Sequence, residues 1–388
     1  MKFGKPALVA GASLLLLAAC SDSGTKTAAQ SPPAAPTTPD ISAKIDGPVP
    51  EVPALPIDTP LIVESMSPTA QPIDKADWTA EPVTPEAKRN ALIRAEVLLA
   101  RAHFSPGVID GQDGGNLKNA VGAFEAAHNL PVDGAMNTEV WAALAKDTQA
   151  ALTDYTITAD DVKGPFVAKI PTDMAEMAKL DALGFTSPTE ALAEKFHMDE
   201  ALLKKLNPGV DFGVAGTKIV VAALGPDKLP ATVTRIEVDK GLRQIRAYGA
   251  KDVLLAVYPA TVGSTERPAP EGEWAVRTVA PNPTYTYDPS RLTFGKASNG
   301  KLTIKAGPNN PVGSTWIDLT KDTYGIHGTP DPRLVGKTAS HGCVRLTNWD
   351  VRQLSQAVKA GTKVAFVGVE QPDAPKTAAK GAPKKAAG

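Results

Sequence analysis

Aromatic side chains are scarce in this 388-residue chain, at 5%. So is any excess of charge: 41 basic against 42 acidic residues leave a net charge of −1. That balance excludes an electrostatic case for nucleic-acid binding. Cysteine is nearly absent, with Cys20 and Cys343 the two that occur. No His, Cys and carboxylate cluster has metal-ligand spacing, and no glycine loop of the nucleotide-binding kind occurs. Neither metal nor cofactor is therefore expected. Proline is plentiful, at 35 residues. With few aromatics, this implies that a substantial part of the chain lies outside packed core. The 43% hydrophobic content still allows about two or three folded domains.

The chain opens with Lys2 and Lys5, followed by an uncharged, mostly apolar run from Ala7 to Ala19. A permanent bilayer helix needs about 20 such residues, so this run reads as a secretory signal. It ends Leu17-Ala18-Ala19-Cys20. That ending resembles a bacterial lipoprotein signal, with residues 1–19 removed and Cys20 lipidated; an ordinary signal peptide cleaved nearby is the alternative. Several acyl chains on one residue suffice for anchoring, since each buried CH₂ adds about 0.8 kcal/mol. With Ser21 next, the resemblance implies a periplasmic protein anchored by lipid to the outer membrane. Cys343 then has no partner for an internal disulfide. A lone thiol in an oxidising compartment is a liability unless it is buried or used for chemistry.

Residues 20–83 read as a disordered, Pro-rich tether, with Trp78 its one aromatic. Extended, it would reach roughly 100 Å or more. A basic tail at 371–388, with Lys376, Lys380, Lys384 and Lys385, reads the same way. Between them the pattern predicts a multidomain α+β chain. Residues 84–148 form a small three-helix bundle: Leu92, Ala95, Leu99 and Ala102 keep helical spacing, and Asp110-Gly111 and Asp133-Gly134 mark turns. Phe104-x-Pro106-Gly107-x-Ile109-Asp110-Gly111 and Leu130-Pro131-Val132-Asp133-Gly134 resemble the peptidoglycan-binding type 1 family. His103 and His128 are read as structural or solvated. Residues 155–224 form a small mixed α/β module. A helix at 190–196, a second capped by Asp199, Asn207-Pro208-Gly209, and a strand at Lys218–Val221 resemble a LysM module. The resemblance implies glycan binding, with a structural linker domain as the alternative. Its front part is stretched by residues 160–185. Residues 231–368 form a mostly β, sandwich-like domain with one packed helix, capped by Asn348 and ended by Gly361.

Chemistry concentrates between Gly325 and Leu346, which reads Gly-Ile-His327-Gly-Thr-Pro, then a loop, then Ser340-His341-Gly342-Cys343-Val344-Arg345-Leu346. Acyl transfer by a thiol needs a base to take and return its proton, and donors facing the oxyanion. A neighbouring histidine lowers a thiol's pKa. His341 and His327 both qualify as that base, and local reasoning does not choose between them. Gly342 permits a tight bend beside Cys343.

The pattern His327-Gly-x(11)-Ser340-His341-Gly342-Cys343-x-Arg345, with Pro270-x-Gly272 and Asn310-Pro311-Val312-Gly313, resembles the L,D-transpeptidase (YkuD-type) catalytic domain. The resemblance implies Cys343 as nucleophile and His327 as proton donor and acceptor. It implies Ser340 orienting His327 through its carbonyl, an oxyanion site on the His341-Gly342-Cys343 backbone, and Arg345 anchoring an anionic part of the substrate. The implied partners are peptidoglycan stem peptides and glycan, the membrane through Cys20, and an outer-membrane protein as one candidate acyl acceptor. A carboxypeptidase or endopeptidase using the same acyl-enzyme is an alternative. A non-catalytic membrane-to-wall tether is another.

Overall fold

The computed structural model describes residues 62–263, 268–289, 300–338, 340 and 342–370. The signal run, Cys20, the tether up to residue 61, His341 and the tail from residue 371 lie outside the described residues. Residues 62–83, expected as tether, are packed instead. They hold a short helix, α1 (Gln71–Asp74), with Ile73 2% and Trp78 3% exposed. The Asp74 carboxylate accepts from the N–H groups of Ala151 and Leu152 at 2.7 and 3.0 Å. A few apolar side chains set among prolines and aspartates carry no period, so their burial is a tertiary outcome that local patterning does not signal.

The helical module contains α2 (Pro85–Arg101), α3 (Gly115–Ala127) and α4 (Thr138–Leu144). Thr84 caps α2 with its hydroxyl on the Ala87 N–H, and Pro85 occupies the first turn, where a missing N–H costs nothing. Each Asp-Gly turn is clamped by a buried glutamate. Glu96 accepts from Asp110 and Gly111, at 3.1 and 2.8 Å. Glu125 accepts from Asp133 and Gly134, at 3.0 and 2.7 Å.

In the second module β1 (Leu152–Thr156) pairs antiparallel with β2 (Lys218–Ala222). Between them come α5 (Ala159–Lys163), α6 (Met174–Met177), α7 (Pro188–Lys195) and α8 (Glu200–Leu206). Ser187 and Asp199 cap α7 and α8. Buried Asn207 fixes the Asn-Pro turn: its amide accepts from the Val220 N–H and donates to the carbonyls of Leu203 and Val220. The stretched front part packs outward. Leu183 exchanges hydrogen bonds with Ala306 and Asn309 of the strand-rich domain.

That domain contains β3 (Arg235–Asp239), β4 (Gln244–Tyr248), β5 (Leu254–Pro259), β6 (Gly272–Pro281), β7 (Tyr285–Tyr287) and β8 (Leu302–Ile304). It continues with β9 (Thr315–Leu319), β10 (Gly325–His327), β11 (Val344–Arg345), α9 (Asn348–Ala357) and β12 (Lys363–Val367). Eight strands form one mixed sheet in the order β11-β10-β9-β6-β12-β3-β4-β5, and β7–β8 is a separate ribbon. The long β6 serves both halves, with an irregularity at Val276/Thr278, and the two halves share one core with Val351 and Leu354 of α9. The cap of α9 is Thr347, whose hydroxyl accepts from Asp350 N–H at 3.1 Å, and not Asn348; the helix ends at Ala357, before Gly361. Asn348 is left free for other bonds.

The modules are not beads on a string. The edge strand β5 is closed by the helical module, with Ser105 N–H on Val257 O and Val257 N–H on His103 O, both at 2.8 Å. Tyr248, Leu254 and Val257 belong to the helical module's core, and Ile93, Val97 and Ile109 to the second module's core.

Candidate active site

β10 runs parallel to β11, with Ile326 opposite Val344 and His327 opposite Arg345. Residues in register on neighbouring strands share a face, and so do residues two apart on one strand. His327, Arg345 and Cys343, which directly precedes β11, are thereby gathered on one side. The pairing closes with Leu346 N–H donating to His327 O at 2.8 Å.

His327 is 4% exposed. Its Nδ1 lies 2.7 Å from the Gly328 carbonyl. A carbonyl only accepts, so Nδ1 carries the proton and Nε2 keeps a lone pair for base chemistry. The indole of Trp316, opposite His327 on β9, stacks on the imidazole at 5.4 Å between centroids and 18° between planes. Burial, with Arg345 nearby, lowers the imidazole pKa to about 3. The ring is neutral at physiological pH.

The half-buried Cys343 thiol donates to the Thr323 carbonyl at 3.7 Å. Burial raises its pKa above the ordinary 9.0, while the Gly325 N–H and the Arg345 charge pull it back. Both the thiol and the imidazole therefore rest uncharged. A neighbouring histidine is the expected source of a lowered thiol pKa; here desolvation dominates, and what opposes it is a backbone N–H and Arg345.

Ser340 does not have the role expected of it. Its hydroxyl donates to Cys343 O at 2.6 Å and accepts from Gly342 N–H at 3.1 Å. It builds the turn that presents the thiol, and Gly328 carries the carbonyl that orients His327. Gly342 sits at φ +115°, and a Cβ there would press on the Tyr324 ring at 3.0 Å. Its N–H, held by Ser340, is not a free oxyanion donor at rest. Arg345 is half-buried and lines a cleft of about 180 Å³ with Thr261, Thr329, Asp331 and Val335. Tyr285 on β7 lies close enough to Cys343 for the thiolate's charge to raise its phenol pKa, though burial raises it more.

Gly328, Trp316 and Tyr285 were not singled out from sequence. The available signals were weak: Gly328 adjoins His327, and the two aromatics are rare residues in the strands between the motifs. No group of three or more His, Cys, Asp or Glu side chains able to hold a metal occurs among the described residues.

The catalytic-domain profile of the L,D-transpeptidases (YkuD) matches residues 233–365, and a peptidoglycan binding domain profile matches residues 88–144. A Bacillus licheniformis protein named as the L,D-transpeptidase YkuD is 32% identical over 180 residues, which are 46% of this chain and 92% of that protein. The chain belongs to the YkuD L,D-transpeptidase family. Its members are acyltransferases. The L,D-transpeptidase YbiS of Escherichia coli is 28% identical over 208 residues, 51% of this chain and 67% of that protein. Among solved structures, an L,D-transpeptidase from Mycobacterium smegmatis aligns at 19% identity and a TM-score of 0.29, over 40% of this chain and 64% of that one. L,D-transpeptidase 3 from Mycobacterium tuberculosis aligns at 16% identity and 0.30, over 39% and 66%. This chain thus spans about two thirds of those structures.

Proposed function

We propose that the protein is a cysteine-dependent L,D-transpeptidase acting on peptidoglycan tetrapeptide stems through a thioester. The observation that carries this reading is the shared face of His327, Cys343 and Arg345, with the imidazole tautomer fixed by Gly328. Cys343 Sγ attacks the carbonyl carbon of the third stem residue. His327 Nε2 takes the thiol proton and passes it to the amine of the departing fourth residue as the C–N bond breaks. An incoming amine then attacks the thioester and gives its proton to His327, and the C–S bond breaks to restore the thiol. An amine from a second stem gives a 3→3 cross-link; a lysine of an outer-membrane protein gives a wall anchor.

Arg345, two residues after the thiol and lining a cleft of its own, suits an anionic part of the donor stem. The peptidoglycan-binding profile on the helical module supports wall engagement by the same molecule. Lipid on Cys20 would hold the chain at the outer membrane within reach of the wall.

The test is incubation of the full chain with purified tetrapeptide muropeptides, followed by intact-mass measurement of the protein and mass spectrometry of the products. A thioester adduct on the wild type that is absent from Cys343→Ala is the expected result. Equal product patterns from the two proteins would leave only a tether. Loss of the chain from the membrane fraction in Cys20→Ala tests the anchor.

A further inference from the structure

Glu194 lies on α7, in the second module, 154 positions before Asn348. We propose that Glu194 positions His327 from outside the catalytic domain, so that the second module forms part of the active-site scaffold. The inference rests on the reading of His327 and Cys343 as the reacting pair.

Asn348 is fully buried at the start of α9. Its Nδ2 donates to both carboxylate oxygens of Glu194, at 3.2 and 3.1 Å, and to Pro308 O at 3.1 Å. Its Oδ1 accepts from Ser314 N–H at 3.0 Å. With acceptors on one side and a donor on the other, the amide has one permitted orientation. Oδ1 is wedged between two glycines: a Cβ on Gly313 or on Gly328 would stand 2.1 Å from it. Gly328 is the residue whose carbonyl holds His327 Nδ1. The path from Glu194 to the imidazole is thus the hydrogen bonding of Asn348 Nδ2 to the Glu194 carboxyl, one close contact and one further hydrogen bond.

A second strut from the same helix supports the same loop. Glu190, one turn before Glu194, accepts from Asn309 Nδ2 at 2.8 Å, and that Nδ2 also donates to Gly184 O. Residues 308–314 are therefore held by α7 from one side and by Asn348 from the other. Remove the Glu194 carboxylate and Nδ2 keeps Pro308 O as an acceptor, with its other hydrogen left unpaired in the core. The amide then shifts from its fixed position, and Gly328, in contact with it, follows. The profile of the catalytic domain covers residues 233–365, so Glu194 lies outside it.

The experiment uses the full chain labelled with ¹⁵N-histidine, with the His327 signals assigned by their loss in His327→Gln. Wild type is expected to show His327 protonated at Nδ1. In Glu194→Met, which keeps the volume and removes the acceptor, the tautomer signal should become mixed. The kcat for acylation by tetrapeptide should fall about tenfold or more while KM stays within about twofold, as for a displaced catalytic group. Glu194→Gln, which still offers an oxygen to Nδ2, should restore both readouts to within about threefold. Ser105→Ala loosens a different grip on α9, the Ser105–Asp350 hydrogen bond at 3.1 Å, and should leave the tautomer as in wild type.

A wild-type tautomer and rate in Glu194→Met overturn the proposal, as does an equal disturbance in Ser105→Ala. If Glu194→Met does not fold, Glu194→Asp draws the carboxylate back by one methylene and carries the same expectation at smaller size; a wild-type tautomer there also overturns it. Should the tautomer depend on Glu194 while no acyl-enzyme forms, the functional reading fails and the positioning role stands.

Discussion

Burial acts on ionisable groups in two places in this molecule, with different results. In the helical module it raises the Glu96 and Glu125 carboxyls, and two loop N–H groups answer each one. At the β10–β11 edge it raises the Cys343 thiol and lowers the His327 imidazole. There each side chain has little to hold it: one carbonyl for the imidazole, and one carbonyl and one N–H for the sulfur. The contrast teaches that the kind and closeness of the partners, and not depth, separate a clamp from the candidate pair: N–H groups at 2.7–3.1 Å for the glutamates, a carbonyl at 3.7 Å for the thiol. Short bonds to fixed loop N–H groups rigidify a fold, whereas a nucleophile and base must keep valence to spend on substrate.

The contrast is broken most severely by removing the sulfur. Cys343→Ala should lower the turnover of tetrapeptide by roughly 10³-fold or more. In the same assay His327→Gln should cost roughly 10²–10⁴-fold, the range for losing a general acid–base. Titration sharpens the contrast further. With the thiol above 9.0 and the imidazole at about 3, the alkylation rate of Cys343 by iodoacetamide should climb about tenfold per pH unit through neutrality. No bend near pH 6 is expected. A plateau beginning below pH 7 would mean that an ion pair forms at rest.

Gly328→Ala, whose Cβ would meet Asn348 Oδ1 at 2.1 Å, should destabilise the fold by about 1–3 kcal/mol, visible in urea unfolding. The smallest effect belongs to the clamps. Glu125 titrates at about 7 folded against an ordinary 4.5. The folded state holds the extra proton between those values, so this stability is complete below pH 4.5 and is lost as pH rises through 7. Tm should therefore fall from pH 5 to pH 8, and Glu125→Gln should flatten part of that fall.

The candidate site residues were legible because cysteine and histidine are rare in this chain and their spacing carries the family signature. Long periodic helices such as α2 and α3 were legible for the reason given by their buried stripes. What escaped was set by tertiary contact. Ile73 and Trp78 pack without any local pattern, and β1 has only five residues. The orienting carbonyl expected of Ser340 belongs to Gly328, since a backbone carbonyl has no side-chain signature to read. Asn348 looked like a cap, since Asn is a good one, but the adjacent Thr347 took that position.

The parallel pairing of β10 with β11 separates reach from spacing. The distance between these two strands is a property of the sheet, about 4.8 Å for any pair of hydrogen-bonded neighbours. The middle of the loop that joins them can grow, shrink or change sequence without moving sulfur relative to imidazole, so long as Gly328 and the Ser340–Gly342 turn at its ends are kept. A slip of one residue along the ladder, by contrast, would turn Cys343 to the opposite side of the sheet. Variation in this scaffold is therefore free in the middle of the connection and forbidden in the register.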